Sequence, residues 1–379
     1  MKQEDTYVHQ VTLHDPDTGV TAYIVVDRLI NGVCGGGCRM SPVVTLEEVG
    51  MLARTMTYKF AAMGVKVGGA KSGIVFDPRS PDKRKASAAF GRLATPYLNT
   101  IYITAEDMGT DAEDVRIINE NAGVDPIAFA KKKAGELGIT LELPEGIEFS
   151  NLGGESFEEL ITGYGVAEAA DEAAGLLDIS LEGATATVQG FGTVGAITAR
   201  NLARRGVKII AVTDIEGSII SKDGLDVEKM IEARDAAGTV DRNKLDFDFT
   251  TGKGDGWLTS GADIIVPAAI ANAITEKNVK QVNAKLVLEG ANIPITTGAQ
   301  ERLMKRGVLV IPDFIANAGA AAGFGLILTG ECKIEEVFGE FSSRIRQGVR
   351  YCVEESKKKR ITTRQAAVQL ARENLEKLR

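Results

Sequence analysis

Two lysines, an acidic turn and a glycine-rich loop are the parts of this chain best suited to chemistry. Lys59 and Lys71 lie twelve positions apart in one glycine-punctuated stretch, Asp107 follows a strand-like run, and the loop covers 190–195. One ammonium group can hold a carboxylate, and burial can lower the pKa of a second one. A carboxylate can act as a general base, and such a loop is typical of a nicotinamide dinucleotide site. Together these groups predict the oxidation of an amino acid.

The loop has the spacing G-x-G-x-x-G, with Gly190, Gly192 and Gly195 at the glycine positions and Thr193 and Val194 between the last two. The first glycine allows a tight turn, the second lets the backbone approach a pyrophosphate, and the third lets helix and strand pack closely. The helix that begins here would point free N–H groups at the phosphates.

Asp214 closes the next predicted strand, about twenty residues after the loop, as a ribose-binding acid does. A carboxylate there accepts the ribose hydroxyls and repels a 2′-phosphate. The prediction therefore favours NAD over NADP.

The elements that position these residues predict two α/β domains in the 379 residues. Strand patterns over 7–27 precede a helix over 45–62 that Thr45 caps, and a strand over 101–104 then delivers Asp107. We predict a substrate-binding and oligomerisation domain over 1–150. Residues 131–160 are predicted to be an irregular crossover.

The second domain, predicted over 160–330, begins with a helix over 161–177 and then alternates strands with helices, which implies a parallel doubly wound sheet. Its strands are predicted over 184–189, 208–214, 263–267 and 285–289, with a helix over 194–205. The charged tail over 333–379 is predicted to be mostly helical and to pack back on the first domain.

Composition excludes several other classes of protein. A net charge of −8 argues against nucleic-acid binding. The N-terminus resembles no signal or transit peptide, and no run is long and apolar enough for a membrane helix, so we expect a cytoplasmic protein without membrane contact. Cys34 and Cys38 flank three glycines, but the two histidines lie elsewhere, so we expect no metal site and interpret the glycines as a turn that lets the backbone approach a ligand or strand.

On its ordered motifs the chain resembles the glutamate/leucine/phenylalanine/valine dehydrogenase family over about residues 30 to 330. The motifs are Gly36-Gly-Cys-Arg39-Met, Met56-Thr-Tyr-Lys59, Gly68-Gly-Ala-Lys71, Tyr102-Ile-Thr-Ala-Glu-Asp107-Met-Gly-Thr110, Thr162-Gly-Tyr-Gly165, Gln189-Gly-Phe-Gly-Thr-Val-Gly195, Pro267-Ala-Ala-Ile270, Glu289-Gly-Ala-Asn292 and Pro312-Asp-Phe-Ile-Ala-Asn317-Ala-Gly319.

The resemblance implies a role for each candidate residue. Lys59 would pair with the substrate α-carboxylate. Lys71, with a pKa lowered by nearby cations, would stabilise oxygen developing at the α-carbon, and Asp107 would be the general base. Hydride would pass to the nicotinamide, and the imine would be hydrolysed to a 2-oxo acid and ammonia. The groups that would position nicotinamide and substrate amine are Thr162, Asn292 and Asn317.

Two departures from the family pattern concern the substrate side chain. Where glutamate-specific members carry a lysine and a serine that hold the γ-carboxylate, this chain has Gly35, beside Gly36, and Phe324. An unpaired buried carboxylate is costly, so we predict a neutral apolar side chain, with Gly35 enlarging the pocket and Phe324 lining it.

Two alternatives remain open: a glutamate dehydrogenase with an atypical pocket, and a non-catalytic regulatory relative. The resemblance also implies a homo-oligomer, a hexamer or an octamer.

Overall fold

A computed structural model describes residues 6–141, 157–235 and 237–378. The chain forms two compact units. One comprises Met1–Leu143, Phe324–Val337 and Ala371–Arg379, and the other comprises Pro144–Gly323 and Phe338–Leu370. Within the described part of the chain, none of the helices combines the length and the apolar character of a membrane-spanning segment.

The first unit is built on a mixed five-stranded sheet with strand order β1-β2-β4-β3-β5. Its strands are β1 (His9–His14), β2 (Thr21–Val26), β3 (Cys34–Met40), β4 (Gly68–Val75) and β5 (Tyr102–Glu106). Strands β3, β4 and β5 run parallel, whereas β2 pairs antiparallel with both β1 and β4. Within the first segment of this unit, Met1–Leu143, the helices are α1 (Leu46–Ala62), α2 (Lys83–Leu98), α3 (Ala112–Ala122) and α4 (Pro126–Glu136).

The three glycines between Cys34 and Cys38 belong to β3 and not to a turn, which corrects our interpretation of their local structure. A Cβ atom on Gly36 would lie 1.9 Å from the carbonyl oxygen of Ala70 in β4, and one on Gly37 would lie 2.5 Å from that of Glu106 in β5. The glycines therefore let neighbouring backbone approach closely, as predicted.

Helix α1 begins and ends as its sequence predicts. The Thr45 side chain accepts a hydrogen bond from the Glu48 amide, the pattern of an N-terminal cap. Gly64, just beyond the helix, has a φ of 68°, a conformation that favours glycine.

The second unit is built on a seven-stranded sheet with strand order β12-β11-β10-β6-β7-β8-β9. Its strands are β6 (Thr185–Gln189), β7 (Lys208–Asp214), β8 (Gly217–Ile220), β9 (Thr250–Gly252), β10 (Ile264–Pro267), β11 (Leu286–Leu288) and β12 (Leu309–Ile311). The five strands from β12 to β7 are parallel, which confirms the predicted parallel sheet. Strands β8 and β9 extend its edge antiparallel, which the sequence pattern did not predict.

The remaining helices complete the described chain. They are α5 (Phe157–Leu176), α6 (Thr193–Ala203), α7 (Val227–Ala233), α8 (Gly256–Thr259), α9 (Thr297–Lys305), α10 (Asp313–Ala316), α11 (Gly319–Leu328), α12 (Val337–Lys359) and α13 (Thr363–Lys377).

The predicted irregular crossover over 131–160 needs correction at both ends. Helix α4 continues to Glu136 because a good cap starts it: the Asp125 side chain accepts from two backbone amides, and Pro126 follows. Helix α5 already begins at Phe157. The glycines and proline on which that prediction depended, within 142–156, lie outside the described residues.

Most of the helical tail packs differently from the prediction, since residues 338–370 belong to the second unit. The Glu168 carboxylate of α5 accepts hydrogen bonds from Ser342 and Arg346 of α12, and Gly165 leaves room for the ring of Phe341. The two ends of the tail, 333–337 and 371–379, belong to the first unit, where Asn374 donates to the carbonyl of Ala61 at 3.0 Å.

Candidate functional site

In the first unit, neighbouring parallel strands and the turn after one of them bring three charged side chains together. Asp107 directly follows β5, Lys71 lies in β4, and Arg39 lies in β3. The Lys71 Nζ atom lies 3.2 Å from Asp107 Oδ1, and Arg39 Nε donates to Asp107 Oδ2 at 2.8 Å. Two cations thus share one carboxylate, and we call these residues the Arg39–Lys71–Asp107 cluster.

The cluster is buried, which decides how its acid titrates. Burial raises the pKa of the Asp107 carboxyl, but the Lys71 and Arg39 cations outweigh burial and hold that pKa below its ordinary value. Thr110 fixes the turn by accepting from the Asp107 amide at 3.0 Å and donating to the Cys38 carbonyl at 2.7 Å. Asp107 is therefore a positioned carboxylate that stays ionised at neutral pH.

Lys59 lies in the last turn of α1, and its side chain is buried. Helix and sheet approach closely here, since a Cβ atom on Gly69 of β4 would lie 2.2 Å from the amide nitrogen of Thr57. Lys59 therefore lies on a helix that packs against the strand carrying Lys71. Its role in holding a carboxylate stays a prediction.

The surroundings of Gly35 are apolar. A Cβ atom there would lie 3.4 Å from the Phe60 ring and 3.6 Å from Val67, so packed apolar side chains occupy this side of β3. Gly325, next to Phe324 in α11, faces Val65 and the same Phe60 ring. Gly35 therefore borders an apolar cluster, and its role in enlarging a substrate pocket stays a prediction.

In the second unit, the glycine loop lies between β6 and α6 at the point where strand order reverses, the usual position for ligand binding in such sheets. Gly190 has a φ of 85°, and a Cβ atom on Gly195 would lie 2.0 Å from the Gly190 carbonyl oxygen. Nothing lies within 4 Å of a Cβ atom built on Gly192, the residue before helix α6 starts at Thr193. Each glycine thus has the geometry that a pyrophosphate-binding loop requires.

Asp214 closes β7 as predicted, but its carboxylate is occupied by a neighbour. Arg242 donates to both oxygens, at 2.5 Å and 2.6 Å, and the amides of Val240 and Glu216 each donate at 2.9 Å. Burial raises the pKa of Asp214, and these hydrogen bonds and the Arg242 charge outweigh it, so the pKa lies below its ordinary value. The bidentate Asp214–Arg242 pair removes the free negative charge on which the NAD prediction depended.

The segments that carry Thr162, Asn292 and Asn317 contact one another. Asn317 Nδ2 donates to the carbonyl of Gly290, two residues before Asn292, at 3.0 Å. The Thr162 hydroxyl accepts from the amide of Ala320 at 3.1 Å. Asn317 is 7% exposed, and its Oδ1 atom has no hydrogen-bond partner among the described residues.

Sequence reasoning missed the two arginines that complete these sites. Arg39 lies in a motif that carried the family resemblance, but it was given no role. The signal available was its place in a strand next to those that carry Lys71 and Asp107. Arg242 lies 28 positions after Asp214 in a loop, and no sequence pattern connects the two.

Comparison with known proteins identifies the family. The family model "Glutamate/Leucine/Phenylalanine/Valine dehydrogenase" matches residues 153–379, and its companion "Glu/Leu/Phe/Val dehydrogenase, dimerisation domain" matches residues 6–122. The chain therefore belongs to the glutamate/leucine/phenylalanine/valine dehydrogenase family.

Individual relatives carry the names of glutamate dehydrogenases. The chain is 37% identical over 300 residues to "NADP-specific glutamate dehydrogenase" of Saccharolobus shibatae, a match that covers 76% of this chain and 66% of that protein. It is 35% identical over 309 residues to "Glutamate dehydrogenase" of Thermotoga maritima, covering 79% of this chain and 70% of that protein.

A solved structure has a similar fold. It is the "hetero-hexameric glutamate dehydrogenase from Thermus thermophilus (Leu bound form)", with a TM-score of 0.79 and 26% identity. The match covers 98% of this chain and 89% of that one.

Proposed function

We propose that this chain catalyses the oxidative deamination of an L-amino acid with a neutral apolar side chain. The reaction consumes the amino acid, water and oxidised coenzyme, and yields a 2-oxo acid, ammonium, reduced coenzyme and a proton. The observation that carries the proposal is the contact between Lys71 and Asp107, 3.2 Å apart and shielded from solvent. Membership of a dehydrogenase family supports it.

The cluster supplies the proton chemistry of this reaction. Asp107, ionised because two cations flank it, takes a proton from the substrate ammonium and releases it to solvent; it then takes a proton from the attacking water and returns it to the departing amine. Lys71 stabilises the oxygen that develops at the α-carbon, and its contact with Asp107 allows a proton to pass between the two. Lys59 pairs with the substrate carboxylate.

The nucleotide site supplies the acceptor. Backbone from Gly190 to Gly195 fits a pyrophosphate, and the unpartnered Oδ1 atom of Asn317 fits an amide or ammonium donor. When bound, the nicotinamide ring accepts the hydride from the α-carbon. Thr162 and Asn292 then orient the ring and the substrate amine together with Asn317.

The apolar substrate is supported by what surrounds Gly35. Its neighbours are Phe60 and Val67, whereas the lysine and serine that hold a γ-carboxylate in glutamate-specific members are replaced by Gly35 and Phe324. Glutamate is the second candidate, because the relatives named above are glutamate dehydrogenases.

For the coenzyme we propose NAD with NADP also accepted. Asp214 suits the ribose hydroxyls of NAD, but Arg242 neutralises it and offers a guanidinium group to a 2′-phosphate. The name of the Saccharolobus relative supports use of the phosphorylated coenzyme. We also propose a homo-oligomer, which the match of 6–122 to a dimerisation domain supports.

The proposal is tested by reduction of NAD and NADP across the proteinogenic L-amino acids at alkaline pH. We expect turnover of leucine, valine or phenylalanine and none of glutamate, lost in Lys71→Ala and kept in the control Lys85→Ala, whose side chain is 78% exposed. Glutamate turnover would select the second candidate. Coenzyme binding without any turnover would favour a non-catalytic regulatory relative.

A further inference from the structure

A buried cluster of charges lies beside the two loops that carry Asn292 and Asn317. Glu289 follows β11, and Asp313 begins α10 after β12; both are 0% exposed. Arg364, in the first turn of α13, donates from one terminal nitrogen to both carboxylates, to Asp313 Oδ1 at 2.7 Å and to Glu289 Oε2. We call these residues the Glu289–Asp313–Arg364 triad.

The triad holds the backbone of both loops. Asp313 Oδ2 accepts from the amide of Ile293 at 2.7 Å, and Glu289 Oε2 accepts from the amide of Asp313 at 2.9 Å. Ile293 has a φ of 50°, a left-handed conformation that is costly for a β-branched residue. The hydrogen bond to Asp313 therefore secures a strained residue directly after Asn292.

The same connections fix Asn317. Its amide donates to the Asp313 carbonyl at 2.7 Å, and its side chain donates to the Gly290 carbonyl at 3.0 Å. The direction of its unpartnered Oδ1 atom consequently depends on both loops at once.

Helix α13 brings the arginine to this place. The Thr363 hydroxyl donates to the carbonyl of Val310 in β12, and the Arg364 guanidinium carbon lies 5.4 Å from the centre of the Phe314 ring. Arg364 is therefore held on the sheet from one side while its charge reaches the ends of two strands.

We propose that Arg364 is a positioning residue, which neutralises Glu289 and Asp313 and thereby sets the loops that orient Asn292 and Asn317. The inference rests on the proposed function of those two asparagines. Arg364 acts on the reaction through the two carboxylates.

The charge balance makes this role distinguishable from packing alone. Burial and the neighbouring Asp313 raise the pKa of Glu289 and Arg364 lowers it, and the net result is a pKa of about 7. Gln300, the neighbour on α9, donates to Glu289 Oε1 at 2.7 Å and does not titrate. Without Arg364, the two carboxylates can share a proton at low pH but repel each other once both ionise. The loops should then lose their order as pH rises.

The test compares Arg364→Met with the double variant Arg364→Met/Glu289→Gln, and uses Arg350→Met as the control. Arg350 pairs with Glu172 on the surface of the same unit. The measurements are amide hydrogen exchange in 289–294 and 312–318, the dissociation constant of the reduced coenzyme, and kcat/KM from pH 6 to pH 9.

For Arg364→Met we expect faster exchange in both segments and a kcat/KM lower by about 10²-fold at pH 8, with partial recovery at pH 6. The neutral amide of Glu289→Gln should restore protection and flatten the pH profile. Wild-type exchange in the single variant, or no rescue by the second substitution, would overturn the proposal. If the single variant fails to fold, the double variant must still show protected loops and a flat profile.

The exchange measurement separates this inference from the proposed function. A wild-type protein without amino-acid turnover would refute the function, while loss of loop protection in Arg364→Met would still report the positioning. Equal changes in Arg350→Met would show that any lost arginine has this effect and would overturn the inference.

Discussion

The Arg39–Lys71–Asp107 cluster and the Glu289–Asp313–Arg364 triad place their buried acids in opposite surroundings. In the first unit two cations, Arg39 and Lys71, contact the carboxylate of Asp107, and Arg39 also pairs with the half-buried Glu48 at 2.6 Å. In the second unit two carboxylates, Glu289 and Asp313, share the single cation of Arg364. Two cations in contact with one acid keep that acid ionised, whereas two carboxylates in contact with one cation favour retention of a proton.

The difference separates a cluster suited to proton transfer from one suited to holding loops in place. A carboxylate flanked by two cations can stay ionised beside an anionic substrate and act as a base. A cluster with surplus negative charge, sealed from solvent and bonded to backbone amides, suits the holding of loops. The direction of each pKa follows, lowered for Asp107 and raised for Glu289.

The largest expected effect comes from removing the base of the Arg39–Lys71–Asp107 cluster. Asp107→Asn keeps the shape but removes the base, so we expect kcat/KM to fall by about 10²–10⁴-fold. The control is Asp82→Asn, at the exposed start of α2. Activity within threefold of wild type would contradict the role of Asp107.

A second prediction compares glycines that serve the two sites. Gly36→Ala places a Cβ atom 1.9 Å from the Ala70 oxygen, and Gly195→Ala places one 2.0 Å from the Gly190 oxygen. Each should lower the free energy of unfolding by about 2–4 kcal/mol, measured by urea denaturation. Coenzyme titration should additionally show weaker binding in Gly195→Ala, and equal binding in both variants would argue against the loop as the phosphate site.

A third prediction sharpens the contrast in pKa. Glu289 has a folded-state pKa of about 7 against an ordinary value of 4.5, so its contribution to stability is complete below 4.5 and is lost as pH rises through 7. Asp107 has a lowered pKa, so it contributes to stability at pH values above its ordinary pKa. That contribution is lost as pH falls through its folded-state pKa.

Urea denaturation checks both signs, below pH 5 for Asp107→Asn and between pH 4 and pH 8 for Glu289→Gln. The stability of Glu289→Gln relative to wild type should increase by roughly 2–3 kcal/mol as pH rises across this range. The stability of Asp107→Asn relative to wild type should instead increase as pH falls toward 3. The same sign in both variants would contradict the contrast.

A fourth prediction concerns coenzyme choice. Arg242→Ala frees Asp214 for the ribose hydroxyls and removes the cation beside the 2′ position, so the ratio of kcat/KM for NADP over NAD should fall about tenfold, or ~1.4 kcal/mol. Lys244→Ala, a nearby exposed cation, is the control. An unchanged ratio would exclude the Asp214–Arg242 pair as the selecting element.

The smallest expected effect is a stabilisation. Gly135 lies inside helix α4, and a Cβ atom there would meet nothing within 4 Å. Gly135→Ala should therefore raise the free energy of unfolding by about 0.5–1 kcal/mol without changing activity. A loss of stability would show that the space is not free.

Much of the fold followed from local chemistry. The Thr45 cap, the strand over 208–214 and the glycine loop were predicted because capping, buried strands and tight turns depend on neighbouring residues. Asp107 at a strand end was predicted for the same reason. The antiparallel strands β8 and β9 were not, since their short segments carry a weak pattern.

The sequence by itself determined the family, the two α/β domains and the residue types available for chemistry, because these depend on order and spacing along the chain. Only the tertiary structure decided which charges meet. Arg39 reaches Asp107 across 68 positions, Arg242 reaches Asp214 across 28, and Arg364 reaches Glu289 across 75. The charge of a site, and with it the proton affinity of its acid, depends on distances that pairing of strands and docking of helices set.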